Sequence, residues 1–139
     1  MQIPEGYRPT ERQSPFWELT GPFYEKVAED GSRYIGVRVE AKHGNMRGIA
    51  HGGLIATLAD IALGYNISCA LGWEVPIATV NLTTDYAGAA RVGDWLEARV
   101  DIQHIGRSIM FANAYIYVGE RRIARASGVF SRIKVEPRR

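Results

Sequence analysis

From Gly52 to Ala70 the chain runs GGLIATLADIALGYNISCA, nineteen residues with one charged side chain, Asp60. The run reads as a single continuous helix that is apolar on nearly every side, so the rest of the fold must enclose it. A carboxylate in such a helix is costly to keep. His51-Gly52-Gly53 opens the run, which sets the unpaired backbone N–H groups of a helix start two turns before the acid. An anion-stabilising helix end and a lone buried carboxylate are two halves of a catalytic site.

With 139 residues the chain fits one domain around one core. Its opening, MQIPEGYRPTERQSP, is polar and lacks the order of a signal peptide, so a cytoplasmic location is expected. Thr57, Asp60, Asn66 and Ser68 interrupt the apolar run and no positive flank follows it, which favours a core helix over a membrane span. A single cysteine, Cys69, excludes a disulfide framework and reads as a buried structural thiol. His43 and His104 have no metal-ligand spacing with any partner, so no metal is expected.

Formal net charge is only +2, but it is unevenly spread. Residues 1–87 hold 7 basic and 10 acidic side chains, whereas 88–139 hold 10 basic and 5 acidic. Without interleaved stacking aromatics or a nucleic-acid motif, that basic third suits a small polyanionic ligand better than nucleic acid.

Local patterns supply the rest of the architecture. Ser14-Pro15 resembles an N-cap and its first helical proline, so Phe16, Trp17 and Leu19 fall on a short helix or turn ending near Gly21-Pro22. Arg33 to Lys42 alternates as a half-buried strand, with Ile35, Val37, Val39 and Ala41 on one side. Ile77 to Ala87 places Ala78, Val80, Leu82 and Tyr86 opposite Thr79, Asn81, Thr83 and Asp85. Trp95 to His104 and Ile109 to Val118 alternate more cleanly, and Gly119-Glu120 turns the chain into Arg121 to Lys134. Consecutive strands with short turns predict an antiparallel meander curled around the helix, an α+β architecture. Ala56, Ala59, Ala62 and Gly64 would let helix and sheet approach closely.

Spacing then constrains the site. Gly53 and Asp60 are almost two full turns apart, so they share a face but are separated by roughly 10 Å along the axis. One helix cannot bring its own acid to its own N-terminus. If both act on one reacting centre, a twofold-symmetric dimer must combine the start of one helix with Asp60 of another. Backbone N–H at Gly52 or Gly53 could then hold a carbonyl oxygen, while Asp60 serves as general base or as nucleophile. Asn45 and His51 add polar side chains at the same turn.

Asn45-Met46-Arg47-Gly48-Ile49-Ala50-His51-Gly52-Gly53, followed by Leu58-Ala59-Asp60, resembles the N-x-x-G-x-x-H-G-G…L-x-D signature of hotdog-fold acyl-CoA thioesterases of the phenylacetate-degradation (PaaI-like) type. Thr79-Val80-Asn81-Leu82 through Tyr86, Gly93-Asp94, Gly106-Arg107 and Ala126-Ser127-Gly128 are similar to the family's remaining strands. The resemblance implies one hotdog domain over 1–139, with a core over 33–134 and a helix-and-loop extension over 1–32. It implies homodimers with shared active sites, as dimers of dimers in many members, and hydrolysis of an acyl-CoA without a cofactor, coenzyme A being part of the substrate.

By position, the resemblance makes Asp60 the catalytic carboxylate and the Gly52 N–H, helped by Asn45 and His51, the polariser of the thioester carbonyl. Thr79 falls near the attacking water. Gly53, Tyr86 and the turn His104 to Ile109, with Gly106, Arg107 and Ser108, match positions that contact coenzyme A. That turn lies in the basic third, and Arg107 suits the phosphates of a nucleotide. A non-catalytic acyl-CoA sensor is the alternative that the fold allows. Phe16, Trp17, Phe23 and Tyr24 belong to no part of the signature; they either lid an acyl pocket or cover the core.

Overall fold

The computed structural model describes residues 2–134. Glu136, Arg138 and Arg139, counted in the basic third, lie outside the described residues. In chain order the elements are β1 (Arg8–Pro9), α1 (Pro15–Thr20), β2 (Tyr24–Val27), β3 (Arg33–Arg38), α2 (Gly52–Ala70), β4 (Ile77–Tyr86), β5 (Trp95–Ile105), β6 (Ile109–Val118) and β7 (Arg121–Arg132). Ala41–His43 forms one 3-10 turn before α2.

The strands make one antiparallel sheet in the order β1-β2-β3-β5-β6-β7-β4, wrapped around α2 in the hotdog arrangement. Leu58, Leu63 and Ile67 of α2 are fully buried against Ile35, Leu96, Met110, Ile116 and Ile123 of the sheet. Each such side chain contributes about 2 kcal/mol by leaving water. Ala59 and Ala62 are fully buried as well, at the close approach of helix to sheet. The apolar length of α2 is thus spent on the sheet.

Three expectations need correction. Only β5, β6 and β7 form a meander: β4 pairs with β7 at the far edge, and β5 pairs with β3 instead. Alternation fixes which face a strand buries, not which neighbour it takes. β3 also ends at Arg38, four residues early, because the chain turns into the 3-10 turn; Val39 is still buried but Ala41 is exposed.

The third correction concerns the face of β4. Thr79 pairs with Phe130 and Asn81 with Val129, so Val80 is an extra residue in a β-bulge. Beyond the bulge the alternation reverses. Ile77, Thr79, Leu82, Thr84 and Tyr86 lie opposite Arg132, Phe130, Gly128, Ala126 and Ala124, and the last four of these are buried on the helix side. Ala78 and Val80 are exposed, Val80 at 58%, instead of sharing the helix-side face with half-buried Leu82 and with Tyr86, itself 51% exposed.

α1 forms where expected, with the Ser14 side chain accepting from Trp17 N and Pro15 in the first turn. All three tryptophans pack. Trp17 and Trp73 flank Tyr65 at 5.9 and 4.8 Å, and Trp95 lies 5.0 Å from Tyr7 and 5.8 Å from Tyr24. A Cβ at Gly36 would stand 2.2 Å from the Trp95 ring, so that ring can lie on the sheet only over glycine. Cys69 is half-buried and forms no disulfide.

The carboxylate that the fold encloses completely is Glu25, at 0% exposure. Arg8 Nη2 and Nε donate to Glu25 Oε1 at 2.9 and 3.1 Å, Arg33 Nη1 donates to it at 3.2 Å, and the Tyr65 hydroxyl donates to Oε2. A buried acid needs such partners. They fasten β1 and β2 to β3 and to the C-terminal half of α2.

Candidate active site

At the start of α2 the loop 44–51 is held by its own side chains. Asn45 Oδ1 accepts from Arg47 N at 2.9 Å and Ile49 N at 3.2 Å, and Gly48 adopts φ +72°, which closes the turn. His51 is the N-cap: its Nδ1 accepts from Gly53 N at 2.9 Å. The Gly53 N–H is therefore occupied. Gly52 N–H donates to no acceptor among the described residues and is the open donor of the helix start. Its carbonyl accepts from the Tyr86 hydroxyl at 2.8 Å, which ties the end of β4 to the same point.

Asp60 stands farther along α2 and is half-buried, not enclosed as its apolar neighbours suggest, because the sheet leaves that side of the helix uncovered. Thr79 Oγ1 donates to Asp60 Oδ1 at 2.8 Å. The bulge is what aims Thr79 at the helix. Around the acid is a hollow of about 370 Å³ lined by Phe16, Trp17, Ala56, Thr57, Ile61, Thr79 and Leu82. A second hollow of similar size borders His51, Gly53, Leu54 and Thr57, with Leu19 and Thr20 across from them. One chain thus holds the carboxylate and the helix start in two hollows that meet only at Thr57.

The β5–β6 turn lies at the other end of β4 from Tyr86. Its position is fixed by Gly106 N–H to Ile109 O at 3.0 Å, Arg132 N–H to Ser108 O at 3.0 Å and Arg132 Nε to Gly106 O at 3.3 Å. A Cβ at Gly106 would come within 2.8 Å of both His104 Nε2 and Ile109 O. His104 stacks on Phe111 at 5.2 Å, Ile109 is 41% exposed, and the Arg107 side chain is exposed with no acid beside it among the described residues.

Within the chain, then, Gly52, Gly53, His51, Asn45 and Tyr86 gather at one end, Asp60 with Thr79 in the middle, and His104 to Ile109 at the other end. The patterns did not separate the roles of the N-terminal aromatics. Phe23 is buried in the core and Tyr24 packs on Trp95, but Phe16 and Trp17 reach the acid. Thr57 and His43 are further neighbours of the helix start that spacing did not single out.

A family model described as the thioesterase superfamily matches residues 47–124. Over 130 residues the chain is 43% identical to the Pseudomonas aeruginosa protein named "Putative esterase PA0474", covering 94% of this chain and 97% of that one. Among solved structures, a mutant of the phenylacetic acid degradation protein PaaI from Thermus thermophilus is similar with TM-score 0.74 and 26% identity, over 86% of this chain and all of that one. The BH2602 protein from Bacillus halodurans, solved with CoA, matches with TM-score 0.81 and 23% identity, over 91% and 83%.

Proposed function

The chain belongs to the thioesterase superfamily, and from that premise we propose that it hydrolyses an acyl-CoA, aromatic or of short to medium aliphatic chain, to the free acid and coenzyme A. The observation that carries this reading is the pairing of an open Gly52 N–H with a Thr79-held Asp60 carboxylate. The thioester carbonyl oxygen docks on Gly52 N–H, with Asn45 Nδ2 as a second donor, and these hold the oxyanion as it forms. Asp60 then delivers the attack, by taking a proton from water or by attacking the carbonyl carbon itself. Collapse breaks the C–S bond and the departing thiolate takes up a proton, from protonated Asp60 where water was the nucleophile. Where Asp60 itself attacked, water then hydrolyses the acyl–Asp60 anhydride and frees both the acid and the carboxylate. No metal or cofactor enters this sequence.

Because the two halves stand apart in one chain, the site is completed by a second copy. Among the described residues β4 pairs on one side only, leaving a ten-residue edge open. Thr79 stands by Asp60 and Tyr86 by Gly52, so a twofold axis passing midway along β4 would join the strand antiparallel to its copy. It would also bring the partner's Gly52 to each Asp60. Arg107 and its turn then serve the phosphates of the nucleotide.

Thiol release from a panel of acyl-CoAs tests the activity, with Asp60→Asn as control; undiminished turnover in that variant removes Asp60 from the mechanism. No turnover on any substrate favours an acyl-CoA sensor. Mixing Asp60→Ala chains with His51→Ala chains tests the shared site. Activity that reappears in exchanged hybrids, from two inactive parents, is expected; its absence after confirmed exchange rejects the two-chain arrangement.

A further inference from the structure

α1 is six residues long and is clamped at both ends. Trp17 packs on Tyr65, and at the far end the His43 ring N–H donates to Thr20 O at 2.6 Å while His43 Nδ1 accepts from Glu40 N at 2.9 Å. His43 is itself buried, and its carbonyl accepts from His51 N–H at 2.8 Å, directly before α2. The helix is therefore fixed relative to the start of α2.

Two apolar side chains on this fixed helix take no part in the core. Phe16 is 55% and Leu19 73% exposed. Exposed apolar side chains are ordinary when scattered. These two are not scattered: Phe16 borders the hollow that holds Asp60, and Leu19 borders the hollow at the helix start. In a site assembled from two chains, Phe16 arrives with the acid and Leu19 with the carbonyl-holding helix, one from each subunit.

We infer that Phe16 and Leu19 are the residues that select the acyl group, forming an apolar wall on either side of the carbon chain next to the thioester carbonyl. This rests on the thioesterase reading. The wall favours an apolar acyl group of several carbons or a ring over acetyl, because a two-carbon group reaches neither side chain. Trp17 has a different part: its ring packs on the core and sets where Phe16 stands.

The test compares kcat/KM for acetyl-, hexanoyl- and phenylacetyl-CoA in the full chain, in Phe16→Ala and in Leu19→Ala, with Val27→Ala, a half-exposed β2 residue, as control. The ratio of hexanoyl to acetyl kcat/KM should fall about tenfold in each α1 variant and stay put in the control. A ratio within twofold of the parent in both variants, or an equal loss on all three substrates, overturns the assignment. Should the parent hydrolyse none of them, the hydrolase reading fails separately, and calorimetry with the inert thioethers S-hexyl-CoA and S-ethyl-CoA decides the wall. A tenfold loss of preference for S-hexyl-CoA in Phe16→Ala supports it; an unchanged preference overturns it.

Discussion

Thr79 in β4 donates to Asp60 Oδ1 in α2 at 2.8 Å, across nineteen residues of chain. One carboxylate oxygen is thereby pinned at the border of the hollow. Thr79→Val should lower kcat about thirtyfold with little change in KM, since a hydrogen bond to a charged group contributes about 2 kcal/mol. Thr79→Ser should restore most of the loss. Steady-state kinetics of the three proteins decide it, and a Val variant as fast as the parent would show that the hydroxyl is idle.

His51 caps α2 through Nδ1. His51→Ala should cost about 1 kcal/mol of stability in urea denaturation, and His51→Asn, a good cap, should recover it. If activity falls in both variants while stability falls only in the first, the ring does more than shape the loop. Equal stability of all three proteins would mean the cap contributes nothing.

Glu25 is enclosed, whereas its partner Arg8 is 56% exposed. Glu25→Ala strands the largely buried Arg33 guanidinium and should cost about 3–5 kcal/mol. Arg8→Ala removes a solvent-exposed partner, leaves Arg33 and Tyr65 on the acid, and should cost much less than Glu25→Ala. Denaturant midpoints of the two variants measure the contrast, and comparable losses would refute the central place given to Glu25.

Burial, and then the hydrogen bond to Glu25, hold the Tyr65 hydroxyl well above the usual phenol range. Tyr7 is shifted the same way by burial and Glu97. An unfolded tyrosine titrates near 10.0, so above that pH the unfolded chain releases protons that the folded chain keeps. This contribution to stability is complete below pH 10 and declines as pH rises past it. Melting temperature should fall between pH 10 and 11.5, and less steeply in a Tyr7→Phe, Tyr65→Phe double variant; parallel curves would discount both phenols.

What the sequence made legible was local. α2 has the expected bounds because its apolar run is framed by His51-Gly52-Gly53 and Leu71-Gly72, and β6 matches Ile109 to Val118 because its alternation is unbroken. The separation of Asp60 from its own helix start follows from helical rise alone. The order of strands was not legible, since β4 crosses to the far edge without any mark in its residues. Glu25 was equally hidden: it sits in a polar strand, and its partners Arg8 and Tyr65 are 17 and 40 residues away. Nor does composition reveal that Asp60 sits on the side of α2 left open by the sheet.

Val80 adds one residue to β4 and touches none of the chemistry. It nonetheless sets the phase of the strand, placing Thr79 in step with Leu82 and Tyr86. Three positions separate Thr79 from Leu82, so in an unbulged strand of the same length Thr79 would face away from Asp60. Deleting Val80 leaves two positions and keeps Thr79 opposite Phe130 on the helix side. Residue count and backbone irregularity thus compensate along this strand, and a chain lacking Val80 should keep both the Thr79 and the Tyr86 contacts on an unbroken ladder.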